Sequence, residues 1–249
     1  RKGAQKAEHI RRADFSLLEP YQDVVKILTL APEELGGNPF FIRQCQKAGI
    51  LVSMGHTAAD YDTARKAIEE WGVLHVTHLY NAMTPFQQRE PGAVGAALDT
   101  AANCELITDN IHSHPMAQRL AYRMKGSRHL ILITDSMRAC GLGDGESELG
   151  GQKVYVKGQR ATLADGTIAG SVLTMDRAMA VFRQNTGAPL AEVVSMVTQL
   201  PAQELGIYGM RGVLLPGRLA DITIFDEALQ IRRTIVRGRT VYAADSLGK

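Results

Sequence analysis

The sequence predicts an α/β fold, a (β/α)8 TIM-like barrel followed by a small C-terminal β-sandwich-like domain. Three observations predict it. Short apolar runs alternate with amphipathic helical stretches through the first half of the chain, which is the pattern of βαβ units and a parallel sheet. The runs are nearly continuous in apolar residues, as strands covered on both faces are. Finally, Glu33, His56, His78, Asp109 and Asp135 each stand at or just beyond the C-terminal end of such a run. A barrel gathers those ends on one rim, where its site is built. An open doubly wound sheet would spread them along an edge and would carry a Gly-rich phosphate loop after its first strand, and the sequence shows none.

The elements follow in order. Residues 24–30 (VVKILTL) form the first predicted strand and lead into Ala31-Pro32-Glu33, with a helical stretch over 39–47. Residues 50–54 (ILVSM) form the second, ending in Gly55-His56-Thr57. Over 58–70, Ala64, Ala67, Ile68 and Trp71 share one helical face. Residues 73–77 form a third strand that stops at His78, and 104–108 a fourth that stops at Asp109, followed by a helix over 116–125. Residues 129–134 (HLILIT) form a fifth, ending at Asp135.

The second half changes character. Residues 141–151, rich in Gly, Asp and Glu, read as a loop; 154–156 and 162–168, with a turn at Asp165-Gly166, read as a hairpin. Residues 174–184 and 190–205 read as helices, and 221–226 with 231–242 as strands of a small β-domain. The expected division is a catalytic barrel portion over 1–205, with a β-hairpin insertion at 150–169, and small β-domain strands over 206–249.

Composition narrows the function classes. The chain has 249 residues, 45% apolar and 22% charged, with a net charge of +2. That balance, with no block of basic residues, gives no reason to expect nucleic acid or a membrane surface as partner. No apolar run is long enough to span a bilayer and no signal peptide is read. Cys45, Cys104 and Cys140 are odd in number and form no C-x-x-C pair, so a disulfide framework is not expected and a cytoplasmic setting is. The opening Arg1-Lys2-Gly3-Ala4-Gln5 reads as a loop already under way, so a piece of a longer polypeptide is expected.

Chemistry concentrates at the predicted rim. A lone histidine is usually structural, but His56 and His78 hold the same place on successive strands, which are neighbours in a barrel. Two histidines and a carboxylate with an open position make a common catalytic zinc arrangement. His75, three residues before His78 on the strand, points to the other face and is read as structural. A carboxylate such as Asp135, after an uninterrupted apolar strand, must be hydrogen-bonded, charge-paired or near a metal. As a functional group it would serve as general base and then acid; the alternatives are a helix N-cap with Ser136 or a loop salt bridge. Asn81, Arg89 and His112 add polar groups, and the planar guanidinium of Arg89 suits a phosphate.

These residues sit in six strings that occur in order: Gly55-His56-Thr57-Ala58-Ala59-Asp60-Tyr61, Thr77-His78-Leu79-Tyr80-Asn81-Ala82-Met83, Arg89-Glu90-Pro91-Gly92, Asp109-Asn110-Ile111-His112, Thr134-Asp135-Ser136-Met137, and Ala169-Gly170-Ser171 with Leu173-Thr174-Met175. Together they resemble the motifs of the N-acetylglucosamine-6-phosphate deacetylases, metal-dependent enzymes of the amidohydrolase type. The resemblance runs from Arg1 to about Tyr242. It implies that strands four to eight of the barrel are present, that His56 and His78 are ligands of a divalent metal (zinc, with iron or manganese as alternatives), and that Asp135 is the catalytic carboxylate. It further implies that Asn81, Ala82, Arg89 and His112 bind an amino-sugar phosphate, that the protein is a homodimer, and that a metal-binding glutamate lies in a segment upstream of Arg1. Glu33 is not expected to replace that glutamate. Three alternatives remain: an N-acetylgalactosamine-6-phosphate deacetylase, another amidohydrolase acting on a different amide or ring, and an inactive fragment or sugar-phosphate binding module.

Overall fold

The computed structural model describes residues 1–244; the last five residues of the predicted small β-domain lie outside that range. Five strands, β1 (Ile27–Leu30), β2 (Leu51–Met54), β3 (His75–Val76), β4 (Asn103–Ile107) and β5 (Leu130–Ile133), form one parallel sheet in sequence order. Helices α1 (Phe40–Lys47), α2 (Tyr61–Glu69), α3 (Gly92–Asp99) and α4 (Pro115–Lys125) connect them. The sheet is a barrel wall of five neighbouring strands, so the C-terminal ends of all five share one rim. Their number matches the five expected. β3 is shorter than predicted because the chain leaves extended geometry after Val76 to make the turn that carries His78.

Helix starts follow local chemistry. The Asp60 carboxylate caps α2 by accepting the Thr63 N–H at 2.8 Å. His114 caps α4 by accepting from Met116 N, and Pro115 fills the first helical position. Helix α3 is a feature the sequence reading passed over, since two glycines in eight residues argue against a helix. Burial overrides propensity: all of Gly92–Leu98 is buried between its neighbours.

The outward face of the strands is the core. Val52, Met54, Val76, Cys104, Leu106, Leu130 and Leu132 are at most 2% exposed and pack with the helices in one cluster that also takes Ala64, Ala67, Ile68 and Phe182. The inward face departs from the apolar expectation. Register places Thr29, Ser53, His75, Thr77 and Glu105 there, and they satisfy one another. Thr77 Oγ1 pairs with Ser53 Oγ at 2.6 Å and Thr29 Oγ1 at 2.8 Å. His75, 1% exposed, lies between Glu105 Oε1 at 3.1 Å and Glu204 Oε2 at 2.8 Å. Burial disfavours its charge, but the bonds to the two carboxylates outweigh that and push it up to about 9, so it is an imidazolium at neutral pH. His75 is thus held by the fold, but it faces the barrel interior and not the opposite face that strand alternation suggested, because His78 lies beyond the strand on a left-handed turn.

Two smaller antiparallel sheets follow. Strands β6 (Gly145–Leu149), β7 (Gln152–Lys157) and β8 (Arg160–Thr162) make a meander. The reading of 141–151 as loop is therefore corrected: β6 has poor strand propensity but is held by pairing, including a 2.7 Å Glu146–Lys153 ion pair across to β7. The meander has its own core of Met137, Ala139, Val154, Val156, Ala161 and Ala169, against which Ala4 packs. The predicted single helix over 190–205 is two, α6 (Leu190–Val197) and α7 (Gln199–Glu204), broken at Thr198 with φ −130° and ψ −74°. They follow α5 (Met175–Thr186), which ends on Gly187 in left-handed geometry. Strands β9 (Ile222–Phe225), β10 (Ile231–Val236) and β11 (Arg239–Ala243) form the last sheet, in the order β11-β10-β9. Among the described residues no helix is long and apolar enough to cross a membrane.

Candidate metal and catalytic centre at the barrel rim

At the ends of β2, β3 and β5 the backbone turns sharply, and the residue making each turn has positive φ: His56 at 49°, His78 at 36° and Asp135 at 49°. Left-handed geometry costs a non-glycine residue of order 1 kcal/mol or more and collects at functional sites. Gly55 allows the first turn, because a Cβ there would stand 2.8 Å from Thr29 Cγ2 and 3.0 Å from Thr77 Cβ.

Each turn is held from outside. Glu33, at the end of β1, accepts the Thr57 hydroxyl and the Ala58 N–H at 2.5 Å each. Both its carboxylate oxygens thus accept a hydrogen bond from the turn that carries His56. His56 Nδ1 lies 2.9 Å from the Arg1 carbonyl, an acceptor, so the proton is on Nδ1 and the lone pair on Nε2. The N–H of His78 donates to Glu105 Oε2 at 3.3 Å. Two features that the sequence reading left without a role, the Arg1 backbone and Glu105, thus orient the two histidines. Neither left a signal in the sequence, because both act through a long-range contact.

His56 and His78 are brought together, edge to face, with ring centroids 4.7 Å apart and Nε2 to Nε2 at 2.9 Å. Burial, with the neighbouring His56 adding to it, pushes His78 below the ordinary imidazole range. His78 Nδ1 is buried and has no hydrogen-bond partner. The arrangement fits a divalent cation. Two ligand nitrogens at zinc distances of ~2.0–2.1 Å on a tetrahedral ion are separated by roughly 3.3 Å, close to the observed convergence. Among the described residues no group of three or more His, Cys, Asp or Glu forms a full cage; the pair offers two nitrogen donors.

Asp135 is open to solvent on one side, yet enough protein surrounds it that burial pushes its carboxyl above the ordinary range; the neighbouring His78, His112 and His56 rings oppose this in part. No helix begins at Asp135, and its side chain makes no hydrogen bond or ion pair among the described residues, so neither the N-cap nor the salt-bridge alternative applies. Its carbonyl accepts from Ser171 N at 2.9 Å, which anchors the turn.

The remaining predicted residues divide. Asn81 folds back, its Nδ2 donating to the carbonyls of His78 and Leu79. With Tyr80 (φ 80°) and Ala82 (φ 48°) also left-handed, the 78–82 turn is tightly coiled just past the histidines. His112 Nδ1 sits 2.7 Å from Asp109 Oδ2, and both side chains are under 10% exposed. Arg89 stands apart: it is exposed on the 85–90 stretch, and its guanidinium bonds to nothing among the described residues.

Comparison with known proteins agrees with this geometry. A profile of the Amidohydrolase family matches residues 4–241. The N-acetylglucosamine-6-phosphate deacetylase of Bacillus subtilis (strain 168) is 44% identical over 247 residues, covering 97% of this chain and 62% of that protein. The crystal structure of the Pasteurella multocida N-acetylglucosamine-6-phosphate deacetylase superposes with a TM-score of 0.91 at 32% identity, covering 98% of this chain and 64% of that one. A Mycobacterium smegmatis N-acetyl-D-glucosamine-6-phosphate deacetylase D267A mutant, in complex with N-acetyl-D-glucosamine-6-phosphate, superposes with a TM-score of 0.90 at 33% identity, over 96% of this chain and 64% of that one. The chain thus spans less than two thirds of the length of each. With a profile match over nearly its whole length and a rim that converges two histidines beside a carboxylate, the chain belongs to the amidohydrolase family.

Proposed function

We propose that the protein to which this chain belongs hydrolyses the acetamide of N-acetylglucosamine 6-phosphate, giving glucosamine 6-phosphate and acetate. The observation that carries this is the meeting of His56 Nε2 and His78 Nε2 beside an Asp135 carboxyl that has no structural partner. His56 and His78 would hold a divalent metal, with zinc the first choice and iron or manganese the alternatives. When bound, such an ion supplies Lewis acidity and lowers the pKa of an attached water toward ~7.

The chain's own residues account for the rest. Asp135, its proton affinity raised by burial, takes the proton of the water that attacks the acetyl carbon. It then returns a proton to the sugar nitrogen as the C–N bond breaks, because an amine leaves far more readily than an amide anion. The 78–82 turn would cradle the phosphate. Ala82 N–H has no acceptor among the described residues, and such concave stretches of backbone bind anions. Arg89 would add a bidentate charge, reaching the phosphate of its own or a partner subunit in a homodimer. Holding the phosphate fixes the amide at the rim and contributes through orientation. His112 would meet the sugar. Residues 1–205 would be the catalytic portion, with the 150–169 insertion near its rim, and 206–249 a small β-domain. The three free cysteines accord with a reducing, cytoplasmic setting.

The test is Asp135→Asn in the full-length protein, assayed with both hexosamine epimers as N-acetyl 6-phosphates and with the unphosphorylated sugar. We expect turnover to fall by about 10³-fold or more, substrate binding to persist, and activity to require the phosphate. Near-native turnover by the variant would remove Asp135 from the chemistry, and equal use of the unphosphorylated sugar would remove the phosphate cradle.

A further inference from the structure

The mechanism above uses His112 but gives no role to Asp109, whose surroundings are the most completely satisfied of any rim carboxylate. Asp109 is 5% exposed. Its Oδ1 accepts the backbone N–H of Ile111 and of His112, each at 2.8 Å, and its Oδ2 faces His112 Nδ1 at 2.7 Å. Burial disfavours its charge, but these bonds from His112 and Ile111 hold the carboxyl below the ordinary range. The turn that allows this places Asn110 at φ 63°. Asn110 Oδ1 accepts from Gln118 Nε2 at 3.0 Å and Asn185 Nδ2 at 2.7 Å, which pins the turn to α4 and α5. The orientation of His112 is therefore over-determined.

An ionised carboxylate can only accept, so the ring nitrogen opposite it must carry a proton. In neutral His112 the lone pair is then on Nε2. That atom has no partner among the described residues and is not buried. His112 is near enough to Asp135 to influence its carboxyl. We infer that Asp109 is a positioning residue: it locks His112 in the Nδ1–H tautomer and presents Nε2 as an acceptor for a donor on the substrate, a sugar hydroxyl or the amide N–H. The functional half of this rests on the proposed deacetylation; the tautomer half does not.

Asp109→Asn is the informative change. The amide oxygen would keep the two backbone N–H bonds, which turns the amide NH2 toward His112 Nδ1. Two donors cannot face each other, so the ring must move its proton to Nε2 and lose the acceptor, the logic by which an Asp→Asn change disables a catalytic Asp–His pair. The experiment is imidazole 15N NMR of the full-length protein at about pH 8, with kinetics of Asp109→Asn, His112→Gln and the double variant. Expected are an Nδ1–H His112 in the wild type, an Nε2–H His112 in Asp109→Asn, a fall in kcat/KM of about 10²-fold or more, and less than about 3-fold further loss when Asp109→Asn is added to His112→Gln. An Nε2–H His112 in the wild type overturns the inference without any variant. So do losses that multiply in the double variant, which would mean Asp109 acts on the fold and not through His112. If the wild type shows the expected tautomer but turns over no N-acetylhexosamine 6-phosphate, the proposed function fails and the Asp109–His112 assignment stands.

Discussion

The buried His75 gives a prediction that can be worked to a number. Its ring bridges Glu105 on β4 and Glu204 on α7, with both nitrogens bonded and 2% of the side chain exposed. Asn103 Nδ2 also donates to Glu204, and His129 pairs with Asn103; among the described residues no Lys or Arg forms an ion pair with either carboxylate. A proton affinity raised from the ordinary 6.5 to about 9 is worth roughly 3 kcal/mol, at ~1.4 kcal/mol per tenfold change. Because the folded-state value is raised, this stability is fully present below about pH 6.5 and is lost as pH rises through about 9. The perturbation is His75→Gln. It leaves two buried carboxylates under-compensated and should cost about 3–5 kcal/mol near pH 6. The assay is urea unfolding of both proteins from pH 6 to 10. Groups that titrate alike in the two cancel, so the difference between the curves should shrink by roughly 3 kcal/mol across that window. A difference that stays flat with pH would show that His75 is not charged in the folded protein and would refute the reasoning.

Two further outcomes are expected. Glu33→Ala removes the acceptor for Thr57 and Ala58 and frees the turn that aims His56; metal affinity, measured by competition with a chromogenic chelator, should fall 10- to 100-fold by the ordinary cost of losing an outer support, and an unchanged affinity would show that the Arg1 contact alone holds the ring. Gly92→Ala places a Cβ 2.7 Å from Thr84 O and 2.8 Å from Pro85 O at φ 60°, so about 2 kcal/mol or more should be lost in chemical unfolding, with the loop carrying Arg89 displaced. A variant as stable as the wild type would mean that the loop yields freely.

The reading of the chain from sequence reached furthest where information is local. Alternating apolar runs and helical faces marked five strands, and in a parallel sheet a residue just past a strand lies on the common rim whatever the details of packing, which is why Glu33, His56, His78, Asp109 and Asp135 could be placed together. It fell short where contacts across the chain override local preference. The acidic, Gly-rich β6 is a strand because β7 pairs with it, and Gly-containing α3 is a helix because its surroundings bury it.

The sequence by itself determined the order of the strands, the kinds of side chain at the rim and the family motifs, since these depend on periodicity and residue type. Only the tertiary structure decided which rim residues meet. The direction of a side chain after a strand depends on φ, and the left-handed turns at His56, His78 and Asp135 arise from supports up to 55 residues away, such as the Arg1 carbonyl at His56. Tertiary contacts likewise fixed the proton positions on His56 and His112 and the charge on His75, because these depend on which acceptor the fold places within ~3 Å of each ring.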